Sequence, residues 1–249
     1  MISTSLPKIQ IKLAVLLTIK IHPLISIRPI GYFLPTISRR GFPLSTKKNK
    51  YPATLRRLDV VMAAYNGNVA LAVSAANAPD PKLRISALLV LHKLDRLIPE
   101  MLGVALTDSE PSVRRYACEL AASYPGVSLS SALEDSDPFV VEMALWALGE
   151  REDETGTAKI CAIAANHPES LVREAAVACL GAIGDENGLE TILGALNDKP
   201  NVRRRAVIAL SAFEGEQVTE ALRSATSDRD WQTRQIAEDL LEITEGSSE

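Results

Sequence analysis

Histidine and cysteine, the side chains most used for metal binding and covalent catalysis, are few and widely spaced in this chain. The sequence holds three of each: His22, His92, His167, Cys118, Cys161 and Cys179. No two of them have the short spacing of a metal-ligand pair. The pattern predicts no metal site, no cofactor and no catalytic centre. The cysteines are expected to be buried and reduced, and His167, just before Pro168, is expected to be a turn or capping residue.

The charges are divided unevenly along the chain. The 249 residues hold 27 Lys plus Arg and 31 Asp plus Glu, for a net charge of -4. Residues 1–50 contain nine basic residues and no acidic ones, so the remainder carries a net charge of -13. An acidic region is poorly suited to binding phosphates, because like charges repel. The balance argues against nucleic acid and favours a protein partner, such as one with a basic surface.

Residues 1–50 differ in composition from everything that follows. Their longest uncharged apolar run, Leu13–Ile19, is far shorter than the roughly 20 residues that span a membrane. We expect a disordered extension or a segment upstream of the true start, with a targeting or membrane-surface segment as the alternative. Residues 51–245 are expected to form a repeat domain and residues 246–249 a polar tail. A cytoplasmic location is expected unless residues 1–50 act as a targeting signal.

One motif recurs along the acidic region: an apolar residue or Thr, then Arg, then Ala three residues later. Its copies begin at Leu83, Val113, Val172, Val202 and Thr233. A sixth copy begins at Val140 and has Val141 in place of the Arg. Successive arginine-type positions are 27 to 32 residues apart. A fixed period of this length is typical of repeat architectures.

Each copy contains the signals of a helix pair. A turn with Asp or Asn, usually followed by Pro, marks a helix start, because these residues cap N-termini and Pro suits the first turn. In the helix that follows, apolar residues recur at helical spacing, as in Val113, Ala117, Leu120 and Ala121. A shorter apolar segment precedes each turn. Gly149, Gly184 and Gly215 lie between units and are expected to end helices.

The pattern predicts an all-α fold, a right-handed α-solenoid of about six helix-turn-helix repeats sharing one core. Residues Leu55–Tyr65 are expected to form an additional helix before the first unit. The first helix of the third unit, Leu129–Leu133, is unusually short. Irregular stacking is expected there.

These residues resemble the HEAT repeat, in its short phycobilisome-lyase-like form. The shared signature, D-x-x-P-x-V-R-x-x-A-x-x-A-L-G, is read from Asp108 to Ala121, from Asp135 to Gly149 and from Asn166 to Gly181. The resemblance implies a ladder of hydrogen bonds between adjacent units, formed by turn Asp and helix Arg residues. The expected members are Asp108, Arg114, Arg173, Asp198, Arg203, Asp228 and Arg234.

The resemblance also implies that the second helices of the units line a concave binding surface. The column that follows the ladder Arg, starting at Ile85, is expected to be exposed there. The predicted partner-binding residues are Arg115, Glu119, Glu142, Trp146, Glu174 and Arg204. Trp146 is either a binding anchor or a residue that packs over the neighbouring unit. The run Arg203–Arg205 is interpreted as one ladder Arg followed by two solvated ones.

A fold of this kind does not define a function. The sequence favours a non-catalytic scaffold or adaptor that binds proteins. A lyase or chaperone-like factor for a chromophore-bearing protein is the alternative that the resemblance implies, and a HEAT-like DNA glycosylase is less favoured because the repeat region is acidic. The di-iron HEAT enzyme deoxyhypusine hydroxylase depends on repeated His-Glu pairs, which this sequence lacks.

Overall fold

The computed structural model describes residues 56–246, with side chains through residue 243, and every regular element in that range is helical. The twelve α-helices of this range are α1 Arg57–Tyr65, α2 Val69–Ala75, α3 Pro81–Lys93, α4 Pro99–Ala105, α5 Pro111–Ala121, α6 Pro138–Glu150, α7 Thr157–Asn166, α8 Ser170–Ile183, α9 Leu189–Ala195, α10 Pro200–Leu210, α11 Glu216–Ala225 and α12 Trp231–Gly246. The predicted extension, residues 1–50, and residues 247–249 of the predicted tail lie outside the described residues. Among those described, no helix has both the length and the apolar character needed to cross a bilayer.

The helix starts follow from the turn residues. Asp80 caps α3, accepting a hydrogen bond from the backbone N–H of Lys82 at 2.9 Å, and Asp137 caps α6 in the same way. Proline is the first residue of α3, α4, α5, α6 and α10, where its missing N–H costs no hydrogen bond. These local signals mark the starts of four second helices, α3, α5, α6 and α10, at the predicted positions.

The helices pair and stack as the repeat pattern predicts. The second helices of the six units, α3, α5, α6, α8, α10 and α12, each pack against the next one along the chain. A first helix packs against the second helix of its own unit, for example α7 against α8 and α11 against α12. α1 packs against α2 and α3. The all-α solenoid prediction is confirmed.

The apolar column of the second helices forms the core. Val113, Val140, Val172 and Val202 are all fully buried, and so are the alanines four residues after them. Because each second helix contributes this column and buries it against its neighbours, the core is continuous from one unit to the next. The offsets read from the sequence therefore identified the core correctly.

The third unit is irregular, as its short apolar segment predicted. Its first helix is reduced to a single 3-10 turn, Ala132–Glu134. Arg151, at the end of α6, donates hydrogen bonds to the carbonyls of Val127 at 2.8 Å and Tyr124 at 3.0 Å, and also to that of Ala121. Its guanidinium satisfies carbonyls at the C-terminal end of α5 and in the loop that follows it. The repeat pattern of the sequence does not indicate this role for Arg151.

The glycines between units have different roles. Gly184 ends α8 in the left-handed conformation, at φ 70°, as predicted. The prediction that Gly149 ends a helix is wrong, since it lies inside α6 and is buried. A Cβ placed there would lie 3.3 Å from the Cβ of Ala182 on α8. Gly149 therefore allows close approach of α6 and α8, a packing role that sequence position alone did not distinguish from a helix end.

Candidate functional site

Arginine side chains connect the turns of consecutive units. Each guanidinium forms a bidentate ion pair with an Asp of the next unit's turn, with N–O distances of 2.6 to 2.8 Å. The pairs are Arg84 with Asp108, Arg114 with Asp135, Arg173 with Asp198, and Arg203 with Asp228. Each of these arginines also donates to a backbone carbonyl of its own turn. Paired and mostly buried, these side chains are structural and not available to a ligand.

The carboxylates of this ladder stay ionised to low pH. Hydrogen bonds from the paired guanidinium hold the pKa of Asp135, Asp198 and Asp228 below the usual range of aspartate. Arg234, in the last unit, donates to the carbonyl of Asp228 at 2.7 Å. Arg84 and Asp135 belong to the ladder although they were not among its predicted members. The sequence does contain a signal for both residues. Wherever the second helix of one unit has the ladder Arg, the turn of the next unit has an Asp, as with Arg84 and Asp108 or Arg114 and Asp135.

The ladder is interrupted once, between the third and fourth units. Val141 replaces the Arg and is fully buried, and His167 occupies the turn position of the Asp. The Nδ1 of His167 accepts a hydrogen bond from the backbone N–H of Glu169 at 3.2 Å, as Asp108 does from Glu110. The interpretation of His167 as a turn residue is therefore confirmed. Both partners of the ion pair are absent together, so neither charge is left unpaired at this junction.

We define the second-helix face as the surface formed by the residue directly after each ladder position and by its neighbours on the same side of the helix. The residues directly after the ladder positions are Ile85, Arg115, Glu142, Glu174, Arg204 and Gln235. The six predicted partner-binding residues lie on it, and all six are half-buried: Arg115, Glu119, Glu142, Trp146, Glu174 and Arg204. The expectation of an exposed column holds only in the last unit, where Gln235 and Asp239 are exposed. Ile85, at the same position in the first unit, is only 8% exposed. Large apolar side chains are more exposed at the N-terminal ends of these helices, Phe139 at 55% and Trp231 at 64%.

The interpretation of Arg204 and Arg205 as solvated residues is also wrong. Arg204 is half-buried and hydrogen-bonded to the side chain of Gln232 and the carbonyl of Pro200. Arg205 is 9% exposed, and its Nη2 lies 3.4 Å from Oε1 of Glu174. The neighbouring helices cover both side chains, because α10 packs directly against α8 and α12.

Glu142 has an unusual environment on this face. It is half-buried, and none of the described residues forms a hydrogen bond or an ion pair with its carboxylate. Burial and repulsion from Glu174 raise the pKa of Glu142, and Arg115 opposes the change. Within residues 56–243, the buried Nε of Arg115 has no hydrogen-bond partner either. A half-buried carboxylate without a partner destabilises the fold and is typical of binding sites.

Replacing Glu142 by Gln is expected to stabilise the protein at neutral pH by roughly 1 kcal/mol, because the variant removes an unpaired, half-buried charge. The folded-state pKa is raised above the ordinary 4.5. The destabilisation is thus complete above the folded pKa and disappears as the pH falls towards 4.5. Urea denaturation at pH 7.5 and at decreasing pH should show the gain shrinking with acidity. Glu220→Gln, at an exposed position on α11, is the control and should have no effect.

Two of the three cysteine thiols, Cys118 and Cys179, are unsuited to nucleophilic chemistry. Burial raises the pKa of Cys118 and Cys179 to about 12, so neither forms a thiolate at neutral pH. Cys161 is half-buried and not fully buried as expected, with its Sγ 3.9 Å from the carbonyl of Asn187. In the part of the chain that the structure describes, no cluster of three or more His, Cys, Asp or Glu side chains is arranged to hold a metal ion.

A cleft of about 760 Å³ lies beside the irregular third unit. Its two cationic side chains are already bonded within the protein. Arg151 donates to backbone carbonyls, as described above, and Lys159 forms an ion pair with Glu134 and donates to the carbonyl of Ser130. Among the described residues that line the cleft, no cation is therefore free to bind an anionic ligand. The second-helix face is the stronger candidate site.

Comparison with known proteins gives a family for part of the chain. Residues 157–242 match the family model described as HEAT repeats. No curated protein matches the chain.

Three solved structures that are similar to the chain are engineered or designed proteins. A crystal structure of an engineered protein is 16% identical, with 77% of this chain and 85% of that chain covered and a TM-score of 0.41. A designed armadillo repeat protein is 14% identical, with 75% of this chain and 86% of that chain covered and a TM-score of 0.37. A second designed armadillo repeat protein, solved in complex with the peptide (KR)4, is 13% identical, with the same coverage and a TM-score of 0.41.

The match begins at residue 157, at the start of α7, but the features of the unit begin earlier. The Arg–Asp pair that connects Arg173 to Asp198 within the matched region recurs between Arg84 and Asp108 and between Arg114 and Asp135. The helix pair and its buried apolar column recur as well. That the repeats are of the short phycobilisome-lyase-like form stays a prediction. The chain is thus similar to HEAT repeats over residues 157–242.

Proposed function

We propose that this protein is a non-catalytic scaffold or adaptor that binds another protein on its second-helix face. Stacking of HEAT repeats produces an extended surface, and such solenoids commonly serve protein interaction. The observation that carries the proposal is the composition of the face. Large apolar side chains such as Phe139 and Leu171 are exposed beside half-buried charged residues. Apolar contacts mixed with charged side chains are typical of protein interfaces.

The charge supports a protein as the partner. The sequence after residue 50 has a net charge of -13, which repels nucleic acid and attracts basic protein surfaces. The central units contribute Glu119, Glu142 and Glu174 to the face, with Trp146 beside them. Aromatic residues surrounded by polar ones dominate the binding energy of many interfaces. The central part of the face is therefore the proposed contact region.

Site-specific photo-crosslinking tests this proposal. A benzophenone amino acid replaces Phe139, on the second-helix face, or Ala162, which is exposed on the first helix α7. In cells that express the chain, we expect discrete protein adducts from position 139 and not from position 162. Glu142→Lys and Trp146→Ala should weaken adduct formation at position 139. Equal labelling from the two positions, or no adduct from position 139, would contradict the proposal.

A further inference from the structure

A row of charged side chains crosses four consecutive second helices in the middle of the face. It consists of Arg115 on α5, Glu142 on α6, Glu174 on α8 and Arg205 on α10. All four are at least half-buried, so their charges are less screened than those of solvated surface residues. The two carboxylates lie between the two guanidinium groups in the order of the helices.

The two carboxylates of this row differ in how their oxygens are used. Oε2 of Glu174 accepts a hydrogen bond from Nδ2 of Asn201 at 2.8 Å, and Oε1 lies 3.4 Å from Nη2 of Arg205. Both oxygens of Glu174 are thus used within the protein. Glu142 has no such partner among the described residues, and its nearest cationic neighbour, Arg115, forms no ion pair with it within 4 Å. Glu142 is the carboxylate in this row whose two oxygens remain unused.

Apolar side chains surround Glu142 on the same face. Phe139 lies one helical turn before it on α6, and Trp146 lies one turn after it, because residues three and four apart share a face. Leu171 holds the position of Phe139 in the next unit and is 36% exposed. An acceptor with two unused oxygens, bordered by exposed aromatic and aliphatic side chains, suits a long cationic side chain with an apolar stem.

We propose that Glu142 binds a Lys or Arg side chain of a polypeptide segment of the partner, and that apolar side chains next to that residue pack on Phe139, Trp146 and Leu171. The inference rests on the proposed scaffold function and adds the chemistry of the ligand. Charge complementarity selects this occupant, since a cation would neutralise Glu142 and offset its repulsion from Glu174. Arg has the additional advantage that its guanidinium stacks on aromatic rings.

Selection from a random peptide library tests the inference. Phage displaying random twelve-residue peptides are selected on the full-length chain, and enriched peptides are synthesised with a fluorescent label for anisotropy titration. We expect Lys or Arg next to an apolar residue in the enriched peptides. Glu142→Gln should weaken their binding roughly tenfold or more, whereas Glu220→Gln, on α11, should leave it within about twofold. Glu142→Lys should abolish binding of these peptides and permit binding of versions with Glu in place of the basic residue.

Weaker peptide binding by Glu142→Gln cannot be attributed to loss of folding, because this variant is expected to be more stable than the parent protein. Enrichment of peptides without basic residues, or unchanged binding by Glu142→Gln, would overturn the inference and leave the scaffold proposal intact. Failure to select any peptide would also overturn it. The crosslinking experiment at Phe139 tests the scaffold proposal separately. The role proposed for Glu142 can therefore be wrong while the scaffold proposal is correct.

Discussion

Replacing Arg203 by Ala is expected to lower the free energy of unfolding by about 3–5 kcal/mol, because it leaves the carboxylate of Asp228 without its partner in a mostly buried place. The side chains of Arg203 and Asp228 are only 4% and 15% exposed. The variant also removes the donor to the carbonyl of Asp198. Urea denaturation followed by circular dichroism measures the change, and the melting temperature should fall by at least about 6 °C.

Arg56→Ala is the matched control for this prediction. Arg56 and Asp59 form a bidentate pair as well, with N–O distances of 3.1 and 3.0 Å, but their side chains are 75% and 37% exposed. Exposed pairs contribute about 1 kcal/mol at most, so this variant should change stability little. A similar loss from Arg56→Ala and Arg203→Ala would show that burial does not determine the contribution of the ladder.

A double variant of the same pair should be less harmful than the sum of its single variants. The junction between the third and fourth units has Val141 and His167 where the other junctions have Arg and Asp. Arg203→Val combined with Asp228→His copies this natural arrangement and leaves no unpaired charge. We expect the double variant to be more stable than Arg203→Val alone, because coupled partners are not additive. Additive losses would contradict a direct pairing between Arg203 and Asp228.

The sequence predicted the helix pairs well because their signals are local. Asp80 and Asp137 cap the helices that follow them, and the apolar column beginning at Val172 is buried as its spacing predicts. Capping and helical periodicity act within one element, so neighbouring residues contain the necessary information. The short segment before Asp135 likewise predicted an irregular third unit, and it forms only a 3-10 turn.

Contacts between units were predicted less completely. The sequence identified the Arg and Asp residue types of the ladder, but each Arg pairs with the Asp about 21 to 25 residues later, in the next turn. The residue type alone does not define that partner. For the same reason Arg151, which bonds to carbonyls of the preceding unit, was not identified.

The burial of the second-helix face was predicted worst. Ile85 was expected to be exposed because it belongs to the column after the ladder Arg, and Arg205 because it belongs to a charge run, but both are buried. Small residues, among them Gly149 and Gly181, bring the second helices so close that side chains on this face reach across to the next helix. Arg205 contacts Glu174 in this way. The distance between two helices depends on tertiary packing, so the apolar pattern of one helix does not predict it.

Replacing Gly181 by Ala is expected to destabilise the protein by about 2 kcal/mol or more, although the same change inside a helix ordinarily stabilises it by about 1 kcal/mol. A Cβ at position 181 would lie 2.7 Å from the Cβ and 2.8 Å from the Cα of Ala209 on α10. Because one of these atoms belongs to the backbone, relief requires α8 and α10 to separate. Urea denaturation measures the loss.

Gly194→Ala is the control of opposite sign. Gly194 lies within α9, and a Cβ there would meet no atom within 4 Å, so the variant should gain up to about 1 kcal/mol from helix propensity alone. Combining Gly181→Ala with Ala209→Gly removes only one of the two close contacts, because the Cα of residue 209 remains. The double variant should therefore stay less stable than the parent protein. Stabilisation of both single variants alike would show that α8 and α10 are not in close contact at Gly181, and that the close spacing inferred for the second-helix face is wrong.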